Sequence, residues 1–205
     1  MNCPLCHNSK IKETLFVARN AFISSSKLDN LAQRKNLTGM GATVTLTQCQ
    51  ICGYIYISTF DLNKTSKEYQ SEGYFSRKII SRAMSNNIKM IEDKCLNYIN
   101  KNSICLEIAP GSGDMVNALI HDVKIYYTID PSLVSLEMKH IQGFFNYNIL
   151  KDKLEYKIDF IMFRHLLEHI NTPLGFLKDV VKLLENNGII YIEVPNIEEI
   201  IEHKR

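Results

Sequence analysis

Four cysteines near the start of the chain, Cys3, Cys6, Cys49 and Cys52, stand in two C-x-x-C pairs. That spacing lets both thiolates of a pair reach one tetrahedral zinc, and two pairs fill its shell with four sulfurs. A closed shell leaves no position for water, so the metal would be structural and would supply folding free energy to a segment with a small core. The same spacing could serve two disulfides or a redox pair. No positively charged leader with an apolar core precedes the chain, which predicts a reducing cytoplasm and favours zinc. His7 follows the first pair and, with four thiols available, is expected at the surface or behind the ligands. Cys95 and Cys105 sit in apolar patterns, where a free cysteine packs as a small hydrophobe.

A second chemical grouping runs from Ile104 to Ser132. An apolar run through Ile104, Cys105, Leu106 and Ile108 reads as a strand, and Gly111 and Gly113 let the backbone turn sharply against a ligand with no Cβ in the way. Asp130 ends the next apolar run (Ile125, Tyr126, Tyr127, Ile129), where a carboxylate can accept hydrogen bonds from ribose hydroxyls. An adenosine ligand is implied. A dinucleotide fingerprint needs a third glycine, and Val116 occupies that place. Glu107, at the end of the first strand, would repel a pyrophosphate but attracts a ligand bearing an ammonium group. S-adenosylmethionine meets both requirements.

Residues 104–195 resemble the class I S-adenosylmethionine-dependent methyltransferases. The resemblance is carried by Glu107 to Gly113 (EIAPGSG), Ile129 to Ser132 (IDPS), Asp159 to Met162 leading into Arg164 to His169 (RHLLEH), and Gly188 to Pro195 (GIIYIEVP). It implies that Glu107 and the turn Ala109, Gly111 and Gly113 hold the methionyl part, that Asp130 with Pro131 meets the ribose, and that Phe163, Arg164 and His165 pass beside the cofactor. Ala109 stands where the family usually has its first glycine, and its methyl should narrow the loop.

A zinc-knuckle segment ahead of such a domain is similar to two groups, C-methyltransferases of nucleotide-linked deoxysugars and ribosomal RNA guanine methyltransferases. The sugar group resembles the chain over nearly its whole length, through the paired knuckles, a Y-x-x-x-x-Y-F-S segment from Tyr69 to Ser76, the acid-Pro-Ser at Asp130, and the L-x-H-I element from Leu167 to Ile170. C-methylation needs a base to take a proton from a carbon beside a carbonyl. Tyr74 is the first candidate and His169 the second, although Tyr69 and Tyr74 could equally pack a domain junction and His165 and His169 could face solvent. The partner expected is therefore a nucleotide-sugar or related small molecule, with RNA as the alternative. A third reading is a non-catalytic remnant that binds cofactor or a partner.

The elements that must position these residues follow from periodicity. Strands are expected at 104–108, 125–129, 143–147, 158–163 and 188–194, with helices near 114–121, 133–140 and 173–186, the last ended by Asn186-Asn187-Gly188. Such alternation predicts an α/β fold, a Rossmann-like parallel sheet with helices on both faces. Strands at Thr14–Val17, Ala42–Thr47 and Tyr54–Ile57, with a turn at Thr38–Gly41 after a polar stretch at Ser24–Asn36, predict a small zinc-ribbon-like β domain. From Arg77 onward Ile80, Met84, Ile88, Ile91, Cys95 and Tyr98 recur at helical spacing, as in a helix docked on the larger sheet. The domains expected are a zinc-binding domain at 1–62, a linker and docking helix at 63–100, and a cofactor-binding core at 101–205.

Composition agrees with this division. The 205 residues are 45% hydrophobic and 22% charged, as in an ordinary soluble globular protein, with no apolar run of the length a membrane span needs. Residues 1–100 carry 13 Lys and Arg against 7 Asp and Glu, and the remainder carries 11 against 15. A basic front half suits a phosphate-bearing substrate, whether nucleotide-linked or RNA, or is simply a solvated face. The resemblance also implies a seven-stranded sheet, whereas only Asn196 to Arg205 follow Pro195. The core is accordingly expected to be truncated, with its fifth strand an open edge prone to association.

Overall fold

A computed structural model describes residues 2–21, 42–59, 81–131 and 139–203. The chain divides into two compact units, Met1–Phe75 with Asn171–Leu174, and Ser76–Ile170 with Gly175–Arg205. Tyr69, Tyr74, the polar stretch at 24–36, the turn at 38–41 and most of the helix expected at 133–140 lie outside the described residues.

The first unit is a three-stranded antiparallel sheet of β1 (Ile11–Ala21), β2 (Ala42–Cys49) and β3 (Ile55–Ile57), in that order. The three strands expected here are present, each within a few residues of its expected bounds. β1 and β2 pair with register shifts on either side of Thr14 and after Ala18, so the long hairpin strands bend rather than run flat. Among the described residues its buried hydrophobic cluster consists of Cys3, Cys49 and Tyr56, with Leu5, Cys6 and Tyr54 packed against it.

The second unit opens with α1 (Arg82–Cys95), capped at its start by Ser81, whose side chain accepts from the Met84 N–H. A parallel sheet follows: β4 (Ile104–Ile108), β5 (Ile125–Asp130), β6 (Lys139–Gln142), β7 (Ile158–Arg164) and β8 (Leu184–Glu193). Its order is β6-β5-β4-β7-β8. The first strand is thus central, the next two lie to one side and the last two to the other. In such sheets the crevice for ligands opens at the carboxyl ends of the strands, where the order reverses, here beside β4. The helices are α2 (Asp114–Leu119), α3 (Tyr147–Lys153), α4 (Pro173–Val181) and α5 (Ile197–His203).

Alternation along the strands sorts the side chains onto two faces. Leu106, Ile108, Tyr127, Ile129, Ile161 and Phe163 enter one core with Leu150, Phe176 and Val180. Cys105, Tyr126, Phe160 and Met162 enter the other, with Met115 and Val116 of α2 and Ile91 and Cys95 of α1. α1 therefore docks on the sheet as its periodicity predicts, except that it ends at Cys95 and leaves Tyr98 60% exposed. Cys95 and Cys105 are buried hydrophobes, and burial pushes their thiols up to about 11 and about 12.

Three expectations are corrected. The strand expected at 143–147 lies instead at Lys139–Gln142. Gly143 closes it by donating its N–H to the Asp130 carbonyl, and Asn146 caps α3 by accepting from the N–H groups of Asn148 and Ile149. Phe145 packs on the core from a loop, edge-on to Phe176 at 4.9 Å, and so mimics a strand residue in the sequence. The helix expected to reach 186 stops at Val181, because the Leu183 carbonyl already accepts from the Ile158 N–H of β7. Asn186-Asn187-Gly188 forms an irregularity within β8, not a helix end. Asn187 has φ 67°, and a Cβ on Gly188 would stand 3.1 Å from the Ile158 carbonyl oxygen, so glycine permits the close strand approach.

Candidate functional site

The cysteine cluster is built by two matching turns. The His7 N–H donates to the Cys3 carbonyl at 2.8 Å and the Gly53 N–H to the Cys49 carbonyl at 3.1 Å, and both His7 and Gly53 have positive φ, 59° and 74°. His7 thus takes the left-handed place that glycine takes in the second turn, and it is exposed, apart from the ligand set. The four Sγ atoms all lie within 4.8 Å of one another. The pairs that cross between the turns are 3.7 Å (Cys3 to Cys52) and 3.5 Å (Cys6 to Cys49). A tetrahedral ion with sulfur at about 2.3 Å needs edges of about 3.8 Å, so the donor set fits zinc with little movement. Hydrogen bonding from the Cys52 backbone, together with that from Ile51, holds the Cys49 thiol down at about 7, while burial and the neighbouring thiols push Cys6 up to about 12 and Cys52 upward.

In the larger unit, β4 and β5 run side by side with Glu107 opposite Thr128 and Ile108 opposite Ile129. Beyond β4 the chain turns at once, and the Ala109 N–H donates to the Ile129 carbonyl at 2.8 Å. This bond pins the turn to the end of β5, one residue before Asp130. Ala109, Gly111 and Gly113 all have positive φ (58°, 60° and 79°). The alanine therefore adopts the backbone for which glycine is preferred, at a cost of roughly 1 kcal/mol, and keeps the turn's course. Asp130 is 8% exposed and Pro131 half-buried at the same end of the sheet.

Glu107 is 3% exposed and accepts a hydrogen bond from the Tyr126 hydroxyl at 3.0 Å. Burial raises its carboxyl to about 7, while the Tyr126 bond and the Arg164 charge pull the other way. Tyr126 was not singled out in the sequence. A tyrosine inside a buried run needs a partner for its hydroxyl, and that requirement was the available signal.

Arg164 ends β7 on the same face. Its Nε donates to Glu193 Oε2 at 2.5 Å, across the pairing of Arg164 with Glu193 in β8. The arginine expected beside a cofactor is thus held by a carboxylate on the neighbouring strand. His165 follows with φ 49°, its N–H donating to the Glu193 carbonyl at 2.8 Å. The short 3₁₀ turn Leu167–His169 then brings Glu168 between two imidazoles, with Oε1 3.8 Å from His165 Nδ1 and 3.9 Å from His169 Nε2. His169 is half exposed. Tyr74, the other candidate base, lies outside the described residues.

Residues 77–204 match the family model described as a methyltransferase domain. The chain belongs to this methyltransferase family. No curated protein matches it. Several solved structures are similar to the methyltransferase in part. An rRNA methylase from Streptococcus thermophilus is 17% identical, with 62% of this chain and 80% of that one covered and a TM-score of 0.42. A precorrin 8W decarboxylase from Methanobacterium thermoautotrophicum is 15% identical over 62% and 70%, with a TM-score of 0.41. An S-adenosylmethionine-dependent methyltransferase from Clostridium acetobutylicum is 15% identical over 67% and 59%, with a TM-score of 0.44. Among the described residues of the methyltransferase no helix is long and apolar enough to cross a membrane.

Proposed function

We propose that this methyltransferase binds S-adenosylmethionine at the carboxyl ends of β4 and β5 and methylates a carbon of a nucleotide-linked deoxysugar or related small molecule. The observation that carries the cofactor reading is a buried carboxylate, Glu107, at the end of the strand that leads into the positive-φ turn Ala109–Gly113, beside Asp130. When bound, S-adenosylmethionine supplies an electrophilic methyl group on a sulfonium. Glu107 faces the ammonium of the methionyl part, the turn admits that part close to the backbone, and Asp130 with Pro131 meets the ribose. Arg164 and His165, at the end of β7, border the same crevice on the other side of β4.

Carbon methylation requires that a proton leave a carbon next to a carbonyl, so that the resulting enolate can form the new C–C bond as the sulfonium C–S bond breaks. His169 accepts that proton at an imidazole nitrogen, and Glu168 stabilises the imidazolium so formed. Tyr74 is the alternative base. The sugar reading is supported by the motifs at Asp130-Pro131-Ser132, Tyr69–Ser76 and Leu167–Ile170 taken together with the paired knuckles. The metal reading assigns Cys3, Cys6, Cys49 and Cys52 to one structural zinc, which would hold the small sheet in shape and take no part in the chemistry.

The basic balance of residues 1–100 suits any phosphate-bearing substrate and so keeps RNA as a second acceptor. Turnover against a panel of keto-deoxysugar nucleotides and against ribosomal RNA separates the two. Methyl transfer to a keto-sugar nucleotide, lost in His169→Ala or Tyr74→Phe, is expected. Methylation of RNA alone overturns the sugar reading.

A further inference from the structure

Glu107 is nearly sealed from water, and a carboxylate in that position is stable only with donors or cations around it. Five titratable groups on the elements around it interact with its charge. Tyr126 comes from β5, Arg164 from β7, Asp114 from α2, Cys95 from α1, and Cys105 from β4 itself. Of these, Tyr126 is the one with a hydrogen bond to the carboxylate, its hydroxyl 3.0 Å from Oε2. Arg164 is engaged with Glu193 at 2.5 Å and acts on Glu107 only through its charge. Asp114 accepts from the Ser112 hydroxyl at 2.6 Å and opposes ionisation of Glu107. The phenol is itself 5% exposed, and burial together with the Glu107 charge pushes it well above its ordinary range, so it remains a donor at all working pH values.

We propose that Tyr126 is a positioning residue for ligand binding: its hydroxyl fixes the Glu107 carboxylate to receive a cationic ammonium group. The proposal rests on the cofactor reading above. Its physical basis is that burial penalises the charged carboxylate, which titrates near about 7, while the Tyr126 bond favours it. Removing the hydroxyl raises the midpoint by roughly one pH unit, given the strength of a hydrogen bond to a charged group. The ring that fills the core is kept in Tyr126→Phe.

Carboxyl carbon NMR of ligand-free protein labelled at glutamate reads the titration directly, with Glu107→Gln to assign the signal. Calorimetry from pH 6 to 9 then reads affinity for S-adenosylmethionine and for 5′-methylthioadenosine, which lacks the ammonium. In Tyr126→Phe the Glu107 midpoint is expected to rise by about one unit, and S-adenosylmethionine to bind about fivefold more weakly at pH 7. That difference should vanish by pH 9, while 5′-methylthioadenosine binds both proteins alike. A purely structural role would weaken both ligands at every pH. An unchanged midpoint, or equal weakening of both ligands, overturns the proposal. If the midpoint moves but wild-type protein binds no S-adenosylmethionine at any pH, the cofactor reading has failed, and the ligand role of Tyr126 falls with it.

Discussion

The two units place their chemistry on opposite kinds of support. In the smaller one the candidate metal ligands are part of the core: among the described residues Cys3 and Cys49 are two of the three in its buried hydrophobic cluster. In the larger one the candidate site residues sit at the ends of strands whose middles are packed on both faces, and Glu107 shares its face with the apolar layer of Cys105, Tyr126 and Met162. A metal held by such a site would create the fold it occupies. A cleft of the second kind is imposed on a fold that tolerates a buried carboxylate.

The largest expected effect follows from that contrast. Removing metal with a strong chelator, or replacing Cys49 by serine, should unfold the small sheet, because apparent binding free energies of structural zinc are about 10 kcal/mol or more and act as folding free energy. Circular dichroism and amide exchange should show loss of β1–β3 with protection in β4, β5 and β7 retained. Retention of β1–β3 in metal-free protein would remove the distinction between the units.

A smaller effect is expected at Glu107. Its carboxyl is raised in the folded state to about 7 from an ordinary 4.5, so the folded protein holds a proton that the unfolded chain releases. The contribution is therefore most favourable below about pH 4.5 and is lost as pH rises through about 7. Glu107→Gln should stabilise the ligand-free protein at pH 8 by up to about 3 kcal/mol, with the gain vanishing toward acid. Thermal unfolding at pH 5 and pH 8 checks this, and a Gln variant less stable at both values would mean that the site is structural. The same variant should weaken S-adenosylmethionine binding, the trade expected of a site that stores an unfavourable charge for its ligand.

The smallest expected effect is at the turn. Ala109→Gly relieves a left-handed alanine but adds chain entropy to the unfolded state, so the net gain should be below about 1 kcal/mol. Affinity for the cofactor should be unchanged or slightly higher. A loss of more than about 1 kcal/mol would show that the Ala109 methyl makes contacts the turn depends on.

How much was legible in the sequence differed between the units for physical reasons. C-x-x-C spacing fixes thiolate reach locally, so the four cysteines could be grouped without knowing the fold, and their Sγ atoms do lie within 4.8 Å of one another. Strands β4, β5 and β7 were readable because they are buried on both faces and bounded by turn residues. β6 and α3 were not, since Phe144, Phe145 and Tyr147 look like a strand until Asn146 is recognised as a cap. The bulge at Asn187 was hidden because Asn-Asn-Gly serves equally to end a helix. Tyr126 was missed because its pairing with Glu107 depends on β4 and β5 lying side by side in register, which no single strand's pattern shows. The same limit applies to Glu168, which meets His165 and His169 only through a 3₁₀ turn.

The crevice at the ends of β4 and β5 is proposed to take S-adenosylmethionine through Glu107. Titration calorimetry of the metal-loaded chain with S-adenosylmethionine at pH 8 tests it most directly. The expected result is saturable binding of one equivalent, weakened tenfold or more in Glu107→Gln while metal content is unchanged. Absence of heat and of any thermal shift at millimolar ligand, in protein whose β4–β8 sheet is intact, would contradict it.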